Sequence, residues 1–140
     1  MAEQKPEPRQ MSREEMEYLA NVYQNQYMLV NNSISMSLEE VQELSAASKS
    51  LEKMDVISEK ETLQSLGGDF YIKAAAKKND TIIVGIGGGY LVEKDLKSAR
   101  QIVEKRLESK NEMLNKLLKS KKELEGAIME LGSRLQRPSE

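Results

Sequence analysis

The sequence predicts an α+β chain: a long antiparallel helical coiled-coil hairpin whose connector carries two β-hairpins. Three observations lead there. Two stretches, about 11–54 and 95–135, repeat apolar residues at a mean step of about 3.5, the heptad period. Between them, residues 62–93 switch to a period of two. The composition is 31% charged and only 4% aromatic, which suits long helices better than a compact globule.

The first ten residues are polar and contain Pro6 and Pro8, so 1–10 reads as a disordered tail. Residues 11–140 read as one domain, since 140 residues suffice for one and not for two. From Met11 to Met54 there is neither Pro nor Gly. The seam of this first helix runs Met16, Leu19, Tyr23, Tyr27, Val30, Ile34, Leu38, Val41, Leu44, Ser48 and Leu51. At 1.5 Å per residue the helix is about 65 Å long, more than a small single-domain core needs.

The connector alternates. Phe70, Ile72, Ala74 and Ala76 interleave with Tyr71, Lys73, Ala75 and Lys77, and Ile82, Val84 and Ile86 share a second face. Strands are expected at about 62–66, 69–76, 81–86 and 89–93. The hairpin turns fall at Gly67-Gly68 and around Gly87-Gly88, with Lys78-Asn79-Asp80 turning between the hairpins. An isolated hairpin is marginal in water. With no second layer in the chain, these strands are expected to find cover in other subunits.

The second helix begins after Asp95, a good N-cap because its carboxylate can accept an orphan backbone N–H. Its seam runs Leu96, Ala99, Val103, Leu107, Lys110, Leu114, Leu117, Lys121, Leu124, Ile128, Leu131 and Leu135. The two lysines can lie along the seam by their alkyl stems. Gly126 and Gly132 weaken the last turns, and Pro138 marks the end.

Several functions are excluded by absence of the residues they need. Cysteine, histidine and tryptophan do not occur, which removes disulfides, Cys/His zinc sites, thiol nucleophiles and His-based acid–base catalysis. Glu14-Glu15 and Glu39-Glu40 are adjacent pairs that diverge by about 100° on a helix, so no catalytic or metal site is expected from them. The glycine cluster Gly85-Ile86-Gly87-Gly88-Gly89 lacks phosphate-loop spacing and leads into strand-like Tyr90-Leu91-Val92, so it reads as a turn with no cofactor. Lys116, Lys119, Lys121 and Lys122 are interleaved with acids, and no nucleic-acid contact is expected. The N-terminus MAEQKPEPRQ lacks a signal-like apolar region, Ala2 excludes myristoylation, and no apolar run spans a bilayer. The expected compartment is the cytoplasm, with no membrane partner.

Charge divides the chain. Residues 1–61 carry 12 acids and 6 bases, whereas 93–137 carry 8 acids and 12 bases. The imbalance fits either two solvated helix faces that differ by chance or an acidic and a basic flank that pair with each other in preference to self-pairing. At the tip where the first helix starts and the second ends, Met11, Met16, Leu19, Ile128, Leu131 and Leu135 gather beside Met129. Such a Met-rich patch fits either seam packing or adaptable binding of many shapes.

The middle of the chain resembles archaeal-type prefoldins of the two-hairpin alpha class. The residues that carry the resemblance are Glu61-Thr62-Leu63, Leu66-Gly67-Gly68, Phe70-Tyr71-Ile72-Lys73, Ile82 through Lys94, Asp95-Leu96, Ala99 and Glu104-Lys105-Arg106-Leu107. It extends over about 12–135. Ser65 departs from the pattern, where a proline commonly precedes Leu-Gly. The resemblance implies a hexamer of two alpha and four beta subunits, with hairpins closing a β-barrel platform and coiled coils projecting from it. It implies an ATP-independent, non-enzymatic chaperone that captures unfolded client proteins at the coiled-coil tips and delivers them to a group II chaperonin. Carried onto this sequence, Leu63, Leu66, Phe70, Ile72, Ile82, Val84, Ile86, Leu91 and Val92 would serve assembly. Met11, Met16, Leu19, Ile128, Leu131 and Leu135 would contact clients. The alternative is a structural coiled-coil scaffold that oligomerises without binding clients.

Overall fold

The computed structural model describes residues 10–77 and 81–137. Nearly all of the expected tail, the Lys78-Asn79-Asp80 turn and Pro138 lie outside the described residues. The elements are α1 (Arg13–Glu52), α2 (Met54–Ile57), β1 (Glu61–Gly67), β2 (Phe70–Ala75), β3 (Thr81–Gly87), β4 (Tyr90–Asp95) and α3 (Leu96–Gln136). They form two compact units. One combines the chain up to Ser37 with the chain from Met113 onward, and the other is Leu38–Glu112.

In the first unit, α1 opens on a capping box. The Ser12 hydroxyl accepts the Glu15 N–H at 3.2 Å, and the Glu15 carboxylate accepts the Ser12 N–H at 3.2 Å. Two orphan donors are thus satisfied at once. Its signal in the sequence is the Ser-x-x-Glu spacing of Ser12 and Glu15. Ile34 and Ser37 of α1, with Leu114 and Leu131 of α3, are buried. Tyr27 donates its hydroxyl proton to Glu125 Oε1 at 3.0 Å, and Lys121 Nζ lies 5.8 Å from the centre of the Tyr27 ring. The seam lysine is therefore accommodated by a cation–π contact as well as by its alkyl stem. Despite Gly126 and Gly132, α3 continues to Gln136.

The seam departs from expectation at one point. Leu38 is 45% exposed, while Ser37 is buried at 6%. Steps of three and four from Ile34 through Ser37 to Val41 keep the inward face on line. Leu38 lies one residue, about 100°, further around the helix.

In the second unit the helices again run antiparallel: Glu40 of α1 pairs with Lys110 of α3, and Leu51, further along α1, meets Arg100, earlier in α3. Ala99 and Val103 are its buried seam residues. Arg100 donates from Nη2 at 2.9 Å and Nε at 3.3 Å to the Leu51 carbonyl. That carbonyl would otherwise accept the Asp55 N–H of a continuing helix. A cation at the C-terminal end of a helix is also favoured by its dipole. Here the expected single helix over 11–54 breaks: α1 stops at Glu52, Lys53 leaves helical geometry at φ −101° and ψ 15°, and the short α2 follows. Arg100→Ala is expected to destabilise the protein by about 1.5–3 kcal/mol, the worth of a hydrogen bond to a charged group. Arg100→Lys should recover only part of the loss. Urea midpoints measured at constant m-value check this.

Candidate functional site

Each hairpin is built by a two-residue turn preceded by a bulge. In the first, Gly68 (φ 56°) and Asp69 (φ 62°) form the turn, and Gly67 (φ 93°) pairs with Phe70. In the second, Gly88 (φ 61°) and Gly89 (φ 79°) form the turn, and Gly87 (φ 105°) pairs with Tyr90. Positive φ at both central positions is the requirement of a type I′ turn, which matches the strand twist. The turns thus lie one residue later than expected, because the leading glycine of each cluster is used in the bulge. Leu66 and Ile86 are the extra residues of the two registers. The Gly85–Gly89 cluster is a strand, bulge and turn leading into β4.

The two hairpins differ in what their own chain covers. In β1 and β2 every residue is exposed except half-buried Ala74. Phe70 is 73% exposed, and Leu63, Leu66 and Ile72 are also exposed. In β3 and β4, by contrast, Ile82, Val84 and Val92 are half-buried. Ile82 and Val84 line an apolar recess with Leu44, Leu51, Ala99 and Val103. The expectation that the strands lack any covering layer in their own chain therefore fails for this face of the second hairpin. The reason is geometric: Val84 and Val92 are cross-strand partners on the face turned to the helices. Ile86 and Leu91 remain exposed, joined by Ile83 and Tyr90, which the sequence analysis did not select.

Arg106 fixes this docking. Its Nη2 donates to the Gly85 carbonyl at 2.7 Å, just before the bulge. Nothing in the sequence singles out this arginine among its charged neighbours. Asp95 ends β4 and caps α3, accepting the Ser98 N–H at 2.7 Å. Hydrogen bonding from the Ser98 side chain and then its backbone N–H holds the carboxyl below its ordinary value of 3.8. A folded pKa lowered in this way contributes stability that is present above 3.8 and is lost as pH falls through the folded value. Asp95→Asn keeps a capping oxygen but cannot titrate. It should flatten the acid limb of the stability curve, read as thermal midpoints across a pH series.

At the helix ends, the residues expected to meet clients lie on or beside the seam. Met11, Met16, Leu19, Ile128 and Leu135 are half-buried, and Leu131 is only 6% exposed. Leu131 is therefore almost wholly covered and is reachable only if its surroundings open. The large apolar side chains that do face solvent in this unit are off the seam: Tyr18, Met28, Leu29, Met36, Met113, Leu118 and Met129, the last 75% exposed. The capping box also closes the start of α1. Among the described residues, no helix is long and apolar enough to cross a membrane.

This arrangement of long helices and two antiparallel hairpins has counterparts. Residues 23–140 match the family model described as prefoldin subunit. The prefoldin subunit alpha of Methanobrevibacter smithii is 31% identical over 81 residues, covering 58% of this chain and 56% of that one. That of Halobacterium salinarum is 40% identical over 52 residues, covering 36% and 34%. The chain thus spans about half the length of the first of these curated relatives and a third of the second. A cryo-EM structure of filamentous PFD from Methanocaldococcus jannaschii shares the fold, with a TM-score of 0.55 at 21% identity over 83% of this chain and 91% of that one. With the family model matching most of its length, and with its curated relatives being alpha subunits, the chain belongs to the prefoldin family, whose members are non-enzymatic chaperone subunits.

Proposed function

We propose that this chain is the alpha-type subunit of an ATP-independent holdase, assembled with beta-type subunits through its strands. The observation that carries the reading is the first hairpin, which presents Leu63, Leu66, Phe70 and Ile72 to solvent with almost nothing from its own chain over it. Exposed apolar strands of this length are an association hazard unless another chain covers them. Closing a barrel with strands of other subunits, in a hexamer of two alpha and four beta chains, removes both the apolar surface and the open edges. Leu63, Leu66, Phe70, Ile72, Ile86 and Leu91 face those partners, while Ile82, Val84 and Val92 act indirectly by seating the second hairpin.

The helix ends hold non-native client chains before transfer to a group II chaperonin in the cytoplasm. Met11, Met16, Leu19, Ile128 and Leu135 supply apolar contacts at the tip, with Leu131 joining only where the helices separate. Single contacts are weak, but several tips on one platform raise the effective concentration by roughly 10²–10⁴. The test uses the chain mixed with its beta-type partner. Deleting 1–19 and 128–140 should leave the oligomer mass unchanged apart from the deleted residues, and sharply reduce suppression of light scattering by an aggregating client. ATP should produce no binding heat in calorimetry. An assembled parent that fails to suppress aggregation would favour a scaffold instead.

A further inference from the structure

We propose that Met28, Met36, Met113 and Met129 are a set of reversible peroxide-oxidation sites. Their oxidation turns the surface of the first unit from apolar to polar and leaves the helix seam and the strands as they are. The inference does not depend on the holdase reading. Its basis begins in the sequence. The chain has eight methionines and no cysteine, tryptophan or histidine. With no thiol to take the oxidant first, the thioether is the side chain that peroxide attacks. The methionines are also confined. Between Met54 and Met113 there is none, so all four strands lack one.

The structure sorts the methionines by exposure. Met28 and Met36 on α1 and Met113 and Met129 on α3 all belong to the first unit. All four face solvent, from 52% exposed at Met113 to 75% at Met129. Among the described residues they are four of the seven large apolar side chains exposed in that unit. Met11, Met16 and Met54 are half-buried. None of the exposed four belongs to the seam, so a polar group added to them stays hydrated and displaces no packing. The same group on Met16 would enter the seam and cost stability.

The chemistry is a two-electron transfer. A sulfur lone pair attacks one oxygen of hydrogen peroxide, and an S–O bond forms as the O–O bond breaks. The departing hydroxide takes up the proton left on the transferred oxygen and becomes water. The thioether is oxidised to a sulfoxide, and the peroxide is reduced. A polar, chiral side chain then stands where a flexible apolar one stood. Four such changes remove more than half of the large apolar groups that this unit shows to solvent. Sulfoxide reductases, one for each epimer, return the thioether, and exposed sites are open to such an enzyme.

The experiment treats the full chain with dilute hydrogen peroxide and follows it by peptide mass mapping, hydrophobic-interaction chromatography and circular dichroism. Met28, Met36, Met113 and Met129 should each gain one oxygen severalfold faster than Met16 and Met54. Column retention should shorten, while helix content and thermal midpoint stay as in the untreated chain. Sulfoxide reductases supplied with a dithiol should restore the retention. Met28→Leu, Met36→Leu, Met113→Leu and Met129→Leu combined should keep the parent's retention and remove its response to peroxide. The same four positions changed to Gln, a polar stand-in for the sulfoxide, should give early elution without any peroxide. The oxidised chain mixed with its beta-type partner should reach the oligomer mass of the untreated mixture, because no strand carries a sulfur. Equal oxidation rates at the exposed and half-buried positions would overturn the inference. So would loss of helix signal in step with oxidation, a lowered oligomer mass, or retention that still shortens in the Leu variant.

Discussion

Leu66→Lys with Phe70→Lys is expected to abolish assembly while leaving the isolated subunit as stable as the parent, within about 0.5 kcal/mol. Both side chains are exposed, so the subunit loses no packing when they change. In the proposed assembly, however, a charge placed under partner strands is desolvated and opposes closure. Ile82→Lys with Val84→Lys is expected to behave in the opposite way. These side chains are half-buried over Leu44, Leu51, Ala99 and Val103. Their loss should cost the subunit itself about 2–4 kcal/mol, a partial share of full aliphatic burial plus lysine desolvation. Assembly would then fail because the second hairpin is no longer seated. Denaturant unfolding of the isolated subunit, paired with sedimentation of the mixture, separates the two variants. Equal destabilisation by both pairs would mean that the hairpins do not differ in this way.

The second large effect concerns the helix seam. Ile34→Asp is expected to destabilise the protein by about 3–5 kcal/mol, because an unpaired carboxylate at a position only 7% exposed is uncompensated. Leu38→Asp, four residues on, should cost less than about 1 kcal/mol, since that side chain is 45% exposed. The apolar repeat alone treats these two positions alike. Thermal midpoints of the two variants distinguish the positions directly, and a large loss at Leu38 would return it to the seam.

The physical grounds for the legible part of the fold are local. Periodicity near 3.5 marked the two long helices, and alternation marked four strands, because helix and strand geometry set those repeats regardless of what packs against them. Asp95 was legible as a cap because its partner, the Ser98 N–H, is three residues away. Clustered glycines marked the turns to within one residue. The shift arose because Gly67 and Gly87 take up the bulges, a choice set by pairing across the strands.

What the tertiary structure decided involves residues far apart in the chain. The break at Lys53 accompanies capture of the Leu51 carbonyl by Arg100, 49 positions on. The second hairpin is held by Arg106 on Gly85, and its covered face is chosen by the helices beneath it. The inward turn of Ser37 rather than Leu38 depends on the phase in which α1 meets its partner helix. For the same reason Leu131 is buried while Met129, two residues earlier, faces solvent. Sequence alone determined which segments are helix, strand and turn, since those preferences act within a few residues. Which side of each segment is covered was left to the tertiary structure, because an apolar side chain gains its stabilisation only from the neighbour that excludes water from it.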